Sequence, residues 1–175
     1  MIILVFDIEY TGIAANPPRG WKKIKRDAYK EGGKYWHKTF ARKHFTHAGA
    51  KKYGYARRSG EQFPFMSKAF LRSYTGQKWR KHKHTNPLVF TGATRADVMT
   101  KWRVQGTRPG GAVVIMNARG LNRRPKGGKI NMRAEMERVV PEEIAKMAQH
   151  IGAKANKALA ELPRRTRRRK RIGGK

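Results

Sequence analysis

The order of elements in this 175-residue chain predicts an α+β fold: a small, mainly antiparallel β-sheet with helices packed on one side. Three observations carry that expectation. Two β-favouring runs, 94–105 and Ala112-Val113-Val114-Ile115-Met116, flank a Gly/Pro-rich loop at 106–111, the pattern of an antiparallel hairpin. An apolar stripe of Ile144, Met147, Ala148, Ile151, Ala155, Ala158, Leu159 and Leu162 has the spacing of a long helix near the C-terminus. Trp21, Ile24, Ala28, Tyr35, Phe40 and Phe45 recur at roughly helical intervals with Lys and Arg between them. The expected organisation is one domain over 1–163 and a basic tail over 164–175.

In chain order, residues 2–8 (IILVFDI) predict a short buried strand, rich in β-branched side chains. The cluster Asn16-Pro17-Pro18-Arg19-Gly20 breaks the chain before the first helix, expected over about 21–46. Gly32-Gly33 is where that helix should kink or split, because an interior glycine costs ~1 kcal/mol against alanine. Segment 48–60 (AGAKKYGYARRSG) suits a loop whose tyrosines lean on the core and whose arginines face outward. Phe63, Phe65, Met66, Phe70 and Leu71 suggest a short helix over 64–73 with Pro64 in its first turn, and the basic run 77–83 follows.

The stretch His84–Val98 organises the remainder. Pro87 fixes its own φ and pushes Asn86 out of the α region. Leu88-Val89-Phe90 then form a short β-favouring run, with Leu88 and Phe90 expected against Ile151 and Leu159 or Trp102. Thr91-Gly92 turns the chain into the strand 94–105, whose residues Ala96, Val98, Thr100, Trp102 and Val104 alternate with polar ones. Residues 117–129 (NARGLNRRPKGGK) read as a basic loop without the glycine–lysine spacing of a phosphate-binding P-loop. Ile130, Met132, Ala134 and Met136 alternate and predict an extended piece. Pro141 opens the last helix with Glu142 and Glu143 at the positive end of its dipole, and Pro163 stops it.

Charge bounds the partners. The chain carries 42 Lys and Arg against 11 Asp and Glu, a formal net of +31. Self-repulsion at that charge opposes folding, so the expected partner is polyanionic: nucleic acid, or acidic protein surfaces in an assembly. With no cysteine, disulfides and thiolate metal sites are excluded. No segment approaches the ~20 apolar residues of a membrane span, and no long basic amphipathic helix is evident, so no membrane partner is expected. The apolar start Met1–Phe6 is too short for a signal-peptide core, which predicts synthesis in the cytoplasm. His44 with His47, and His82 with His84, lack the third ligand a metal site needs.

Two family resemblances rest on short motifs. Asp7-Ile8-Glu9-Tyr10-Thr11-Gly12 resembles the first motif of DEDD-type exonucleases, in which an Asp and a Glu hold catalytic metal ions. That chemistry needs further carboxylates, whereas the chain has three Asp in all (Asp7, Asp27 and Asp97). The expectation is therefore no catalysis. "NPLVFTGATR" resembles the PLV-x-TG-x-x-R segment of phage neck and tail-completion proteins, the head–tail joining and virion-morphogenesis families. His44-Phe45, Tyr53-Gly54-Tyr55 and Arg57-Arg58 resemble the HF…YGY…R stretch of the same families, and the match spans roughly 36–160.

This resemblance implies a structural virion protein. It would be made in the host cytoplasm and assembled as a homo-oligomeric ring of six or twelve copies between other neck, portal or tail proteins, along packaged DNA. The residues expected to meet nucleic acid or a partner lie in three places. They are Lys51, Lys52, Arg57 and Arg58; Arg119, Arg123, Arg124 and Lys126; and Arg164, Arg165, Arg167, Arg168, Arg169, Lys170 and Arg171 of the tail. No cofactor is expected. The alternative is a basic nucleic-acid-binding protein of another assembly, such as a ribosomal protein, using the same loops and tail on RNA phosphates.

Overall fold

A computed structural model describes residues 20–89, 91–107, 111–121 and 130–162, together with the backbone of 2–6. The fold is α+β. Strands β1 (Ile2–Phe6), β2 (Trp102–Gly106) and β3 (Ala112–Met116) form an antiparallel sheet in the order β1-β3-β2. Met116 sits opposite both Ile2 and Trp102, and Ala112 opposite both Phe6 and Gly106, so β3 is the central strand. The expected hairpin is β2–β3, and its loop begins with Thr107 N–H donating to Gly111 O at 2.9 Å.

Helix α1 (Trp21–Thr39) lies against the sheet and against α7 (Pro141–Ala160). Gly32-Gly33 does not kink it; the pair makes this double packing possible. A Cβ on Gly32 would meet Ile151 of α7 at 2.5 Å, and one on Gly33 would meet Val104 and Val114 of the sheet at 3.0 and 3.1 Å. One glycine therefore faces each neighbour. The helix is also shorter than expected: it ends at Thr39, and Ala41–Phe45 is a separate 3-10 turn.

Helix α7 has the predicted Pro141 start, but its buried face is rotated. Glu143, Met147, Ile151 and Ala155 point inward, whereas Ile144 is 47% exposed. The main core joins Trp36, Phe40, Phe45, Leu88, Val98 and Met147 with strand residues Val114 and Met116. A smaller cluster joins Ala28, Tyr29, Ala112, Ile151 and Ala155. Leu88 thus belongs to the core on which Trp102 leans and not to the cluster of Ile151, while Phe90 lies outside the described residues.

Three further expectations are corrected. The first half of the presumed strand 94–105 is helix α5 (Ala93–Thr100), and only 102–106 is strand. Gly92, at φ +87°, starts α5, and Asp97 bonds Lys101 one turn on at 2.7 Å. The same residues support period two and a helical repeat over so short a window, and the Asp97–Lys101 pair favours the helix. Likewise Met132–Met136 is a helical turn, α6, capped by the Asn131 side chain accepting from Ala134 N–H at 3.1 Å. The Leu88 run is a turn: Leu88 has φ +54°, a conformation that costs an L-residue ~1–2 kcal/mol and is retained here by burying its side chain.

The segment 64–83 holds two helices in place of one. Ser67 and Ser73 cap α3 (Lys68–Arg72) and α4 (Tyr74–His82), accepting from Phe70 N–H and Gly76 N–H, each at 3.1 Å. Helix α2 (His47–Lys52) is capped in the same way by Thr46, which accepts from Gly49 N–H at 3.0 Å.

Candidate nucleic-acid and partner interface

Segment 44–58 is fastened to α6 and α7 by a buried polar network. Its residues are those that carry the HF…YGY…R likeness. His44 stacks on Tyr53 with ring centroids 3.9 Å apart, and its Nδ1 shares a 2.5 Å hydrogen bond with the Tyr55 hydroxyl. The Tyr53 hydroxyl donates to Glu143 Oε1 at 2.5 Å, and Trp36 Nε1–H donates to Glu143 Oε2 at 3.1 Å. Both oxygens of this fully buried carboxylate are satisfied, which is why Glu143 and not Ile144 turns inward. Burial raises the Tyr53 and Tyr55 hydroxyls well above the usual phenol range and pushes the His44 imidazole down to about 3, so His44 is neutral at physiological pH.

A second anchor lies at the far end of the loop. The Arg58 guanidinium forks onto both oxygens of Glu135, with Nη1 to Oε1 at 3.0 Å and Nη2 to Oε2. Ala56 N–H also donates to Glu135 Oε1 at 3.0 Å, and Arg138 donates to the carbonyls of Tyr53, at 2.9 Å, and Gly54. Arg58 was expected to face outward with its neighbours; it is buried instead, and its fork is committed to Glu135.

The other predicted contact residues in the described part are at the surface. Lys51 and Arg57 are exposed, and Lys52 Nζ sits 2.6 Å from Glu142 Oε2. Lys52 and Lys146 together hold the Glu142 carboxyl down to about 2. Arg119 is 84% exposed at its side chain, with Nε 3.5 Å from Asp97 Oδ2, while its backbone N–H donates to the same oxygen at 3.1 Å. Asp97 is held below the usual carboxylate range first by Lys101 and then by that backbone N–H. Arg123, Arg124, Lys126 and the tail residues Arg164, Arg165, Arg167, Arg168, Arg169, Lys170 and Arg171 lie outside the described residues.

Among the described residues, Asp27, Glu31, Asp97, Glu135, Glu137 and Glu142 are each paired with a base of this same chain. Glu143 is taken up by Trp36 and Tyr53, and Glu61 accepts from Arg58 N–H at 2.9 Å. Exposed Glu161 apart, the acids of the described residues are thus engaged within the molecule, and the surface that remains is mainly cationic. Exposed Lys22, Lys23, Arg26 and Lys38 on α1 extend it. A groove of about 600 Å³ between α1 and α7 carries both signs, from Lys23, Lys30 and Lys154 to Asp27 and Glu31.

Sequence reasoning missed Glu135, Glu143 and Arg138 as the residues that set the loop. A signal for Glu143 was present: counting back from Ile151 and Met147 in steps of four lands on it. Among the described residues no three of His, Cys, Asp or Glu come together as a metal site, and no helix is long and apolar enough to cross a membrane. The chain matches no protein-family model, no curated protein and no solved structure.

Proposed function

We propose that the chain is a structural, non-catalytic subunit of a tailed-phage neck, a tail-completion protein whose ring joins head to tail along the DNA path. One observation carries the reading. The residues of the HF…YGY…R likeness act together as a framework, with His44, Tyr53, Tyr55 and Arg58 buried or half-buried and bonded to each other, to α6 or to α7. That framework leaves Lys51 and Arg57 on a fixed outer surface. A motif used to hold a cationic loop in place suits an assembly protein better than an enzyme.

The charge balance supports the same reading. Subunits at a formal +31 repel each other, and most carboxylates of the described residues are paired internally, so a closed ring of six or twelve needs counter-charge from outside. Packaged DNA along the ring's bore and acidic faces of neighbouring neck, portal or tail proteins would supply it. Such a protein is made in the host cytoplasm and ends in the virion.

The test is sedimentation and negative-stain imaging of the purified protein, alone and with linear duplex DNA. The expected result is a monomer alone at low salt and rings with duplex DNA. Failure to form rings under any condition, together with preference for structured ribosomal RNA over duplex DNA at equal salt, would replace this reading with that of a ribosomal-type protein.

A further inference from the structure

Helices α3 and α4 pack chiefly on each other. The turn that leads into them displays apolar side chains. Ser67 N–H donates to Pro64 O at 3.1 Å, and Met66 within that turn has φ +65°, a conformation L side chains avoid. The result is that Phe65 is 62% exposed and Met66 48%. Phe65 is nevertheless held in place: its ring meets Trp79 edge-on at 5.3 Å and leans on Phe70 at 5.2 Å. An apolar anchor already fixed in orientation loses little freedom on binding.

The segment that carries this patch is basic. Lys68, Arg72, Arg80 and Lys83 are exposed, and Lys83 Nζ lies over the Trp79 ring, 4.9 Å from its centroid. Between Ser59 and Lys83 the only acid is Glu61, whose carboxylate accepts from the Arg58 backbone N–H.

We propose that the Phe65–Met66 turn is a docking site for a different protein, one that presents an apolar face bordered by acidic side chains. The Lys83 ammonium over Trp79 and the exposed bases of the segment select for acids, and the two anchors select for an apolar surface. A second copy of this chain is a poor occupant. Most acids of its described residues are engaged in its own pairs, and at +31 it would bring like charge. Single-stranded nucleic acid fits less well too. Bases stack on successive open aromatic faces, whereas Trp79 has the Lys83 ammonium over it and the Phe65 ring against it, and Met66 beside Phe65 offers no ring. The inference does not depend on the neck reading, since any assembly could supply such a partner.

The test uses the full chain and a fluorescein-labelled amphipathic peptide with Leu on one face and Glu on the other, read by anisotropy. Phe65→Ala is expected to weaken binding at least tenfold, which corresponds to about 1.4 kcal/mol, with duplex-DNA binding and melting temperature little changed. Met66→Gly is expected to weaken peptide binding while leaving the melting temperature equal or higher, because glycine accepts the positive φ. A merely structural role for the turn would not give that opposite pair of signs. Replacing Leu by Ser, or Glu by Gln, in the peptide should each reduce affinity. Peptide binding unchanged in both protein variants would overturn the proposal. So would loss of oligo(dT) binding with peptide binding retained, which would assign the patch to single-stranded nucleic acid. A wild-type dimer that Phe65→Ala dissolves would assign it to a second copy.

Discussion

Arg58→Met separates the framework role of Arg58 from a contact role. The side chains of Arg58 and Glu135 are only 9% and 4% exposed, and the guanidinium forks onto both carboxylate oxygens. Removing the cation leaves a buried carboxylate facing an apolar group, with the Ala56 N–H as a remaining donor. Breaking a buried pair from one side costs roughly 3–5 kcal/mol, most of it the uncompensated charge. For a protein of this size that should lower the melting temperature by on the order of 10 °C. Adding Glu135→Leu removes the stranded charge and should recover most of the loss. A deficit of ~1–3 kcal/mol should remain, because the Ala56 N–H then has no acceptor. Thermal denaturation of the four proteins of this cycle gives the coupling directly. DNA binding supplies the second readout. Arg58→Met should leave the log–log salt slope unchanged, whereas Arg57→Ala should reduce it by roughly 0.9 for one lost phosphate contact. An Arg58→Met protein that melts like the wild type but loses salt slope would refute the reasoning and return Arg58 to the surface.

Three more outcomes are expected. His44 has its imidazole lowered by burial from 6.5 to about 3, so the unfolded state takes up its proton first. The stability it contributes is complete above about pH 6.5 and is lost as pH falls toward 3, at about 1.4 kcal/mol per pH unit, and denaturant titrations of wild type and His44→Phe across that window should diverge accordingly. Gly32→Ala should destabilise by ~1–3 kcal/mol because its Cβ would sit 2.5 Å from Ile151, and Ile151→Val should recover part of this; stabilisation, the usual result for an exposed helical glycine, would mean α1 and α7 are not in contact there. Deleting 164–171, which holds seven Lys or Arg in eight positions, should reduce the DNA salt slope by roughly 4–5 if about five engage phosphates; an unchanged slope would mean that the tail does not meet the DNA.

The legible parts of the fold were those with long, consistent patterns. Helix α7 carried a proline start, acids in its first turn and an apolar repeat over five turns, and the β2–β3 hairpin carried an alternating run and an apolar run about a Gly/Pro loop. Short segments were ambiguous for a physical reason. Over five to eight residues an alternating pattern and a helical one share most of their apolar positions; in Ala93–Thr100 and Met132–Met136 the starts at Gly92 and Asn131 and the Asp97–Lys101 pair support helical turns.

Of the candidate interface, the amino-acid sequence alone sets the charge: a net of +31 with few acids favours anionic surfaces whatever the fold. It could not determine which bases face such surfaces. Arg57 and Arg58 are adjacent and alike in sequence, yet one is exposed and the other buried, because Glu135 arrives from a helix 77 positions further along. Gly32-Gly33 is the same case, a weak point in an isolated helix that becomes its closest contact once Ile151, Val104 and Val114 are brought against it. Burial and pairing are properties of what packs on a residue, and that is decided by distant segments meeting in space.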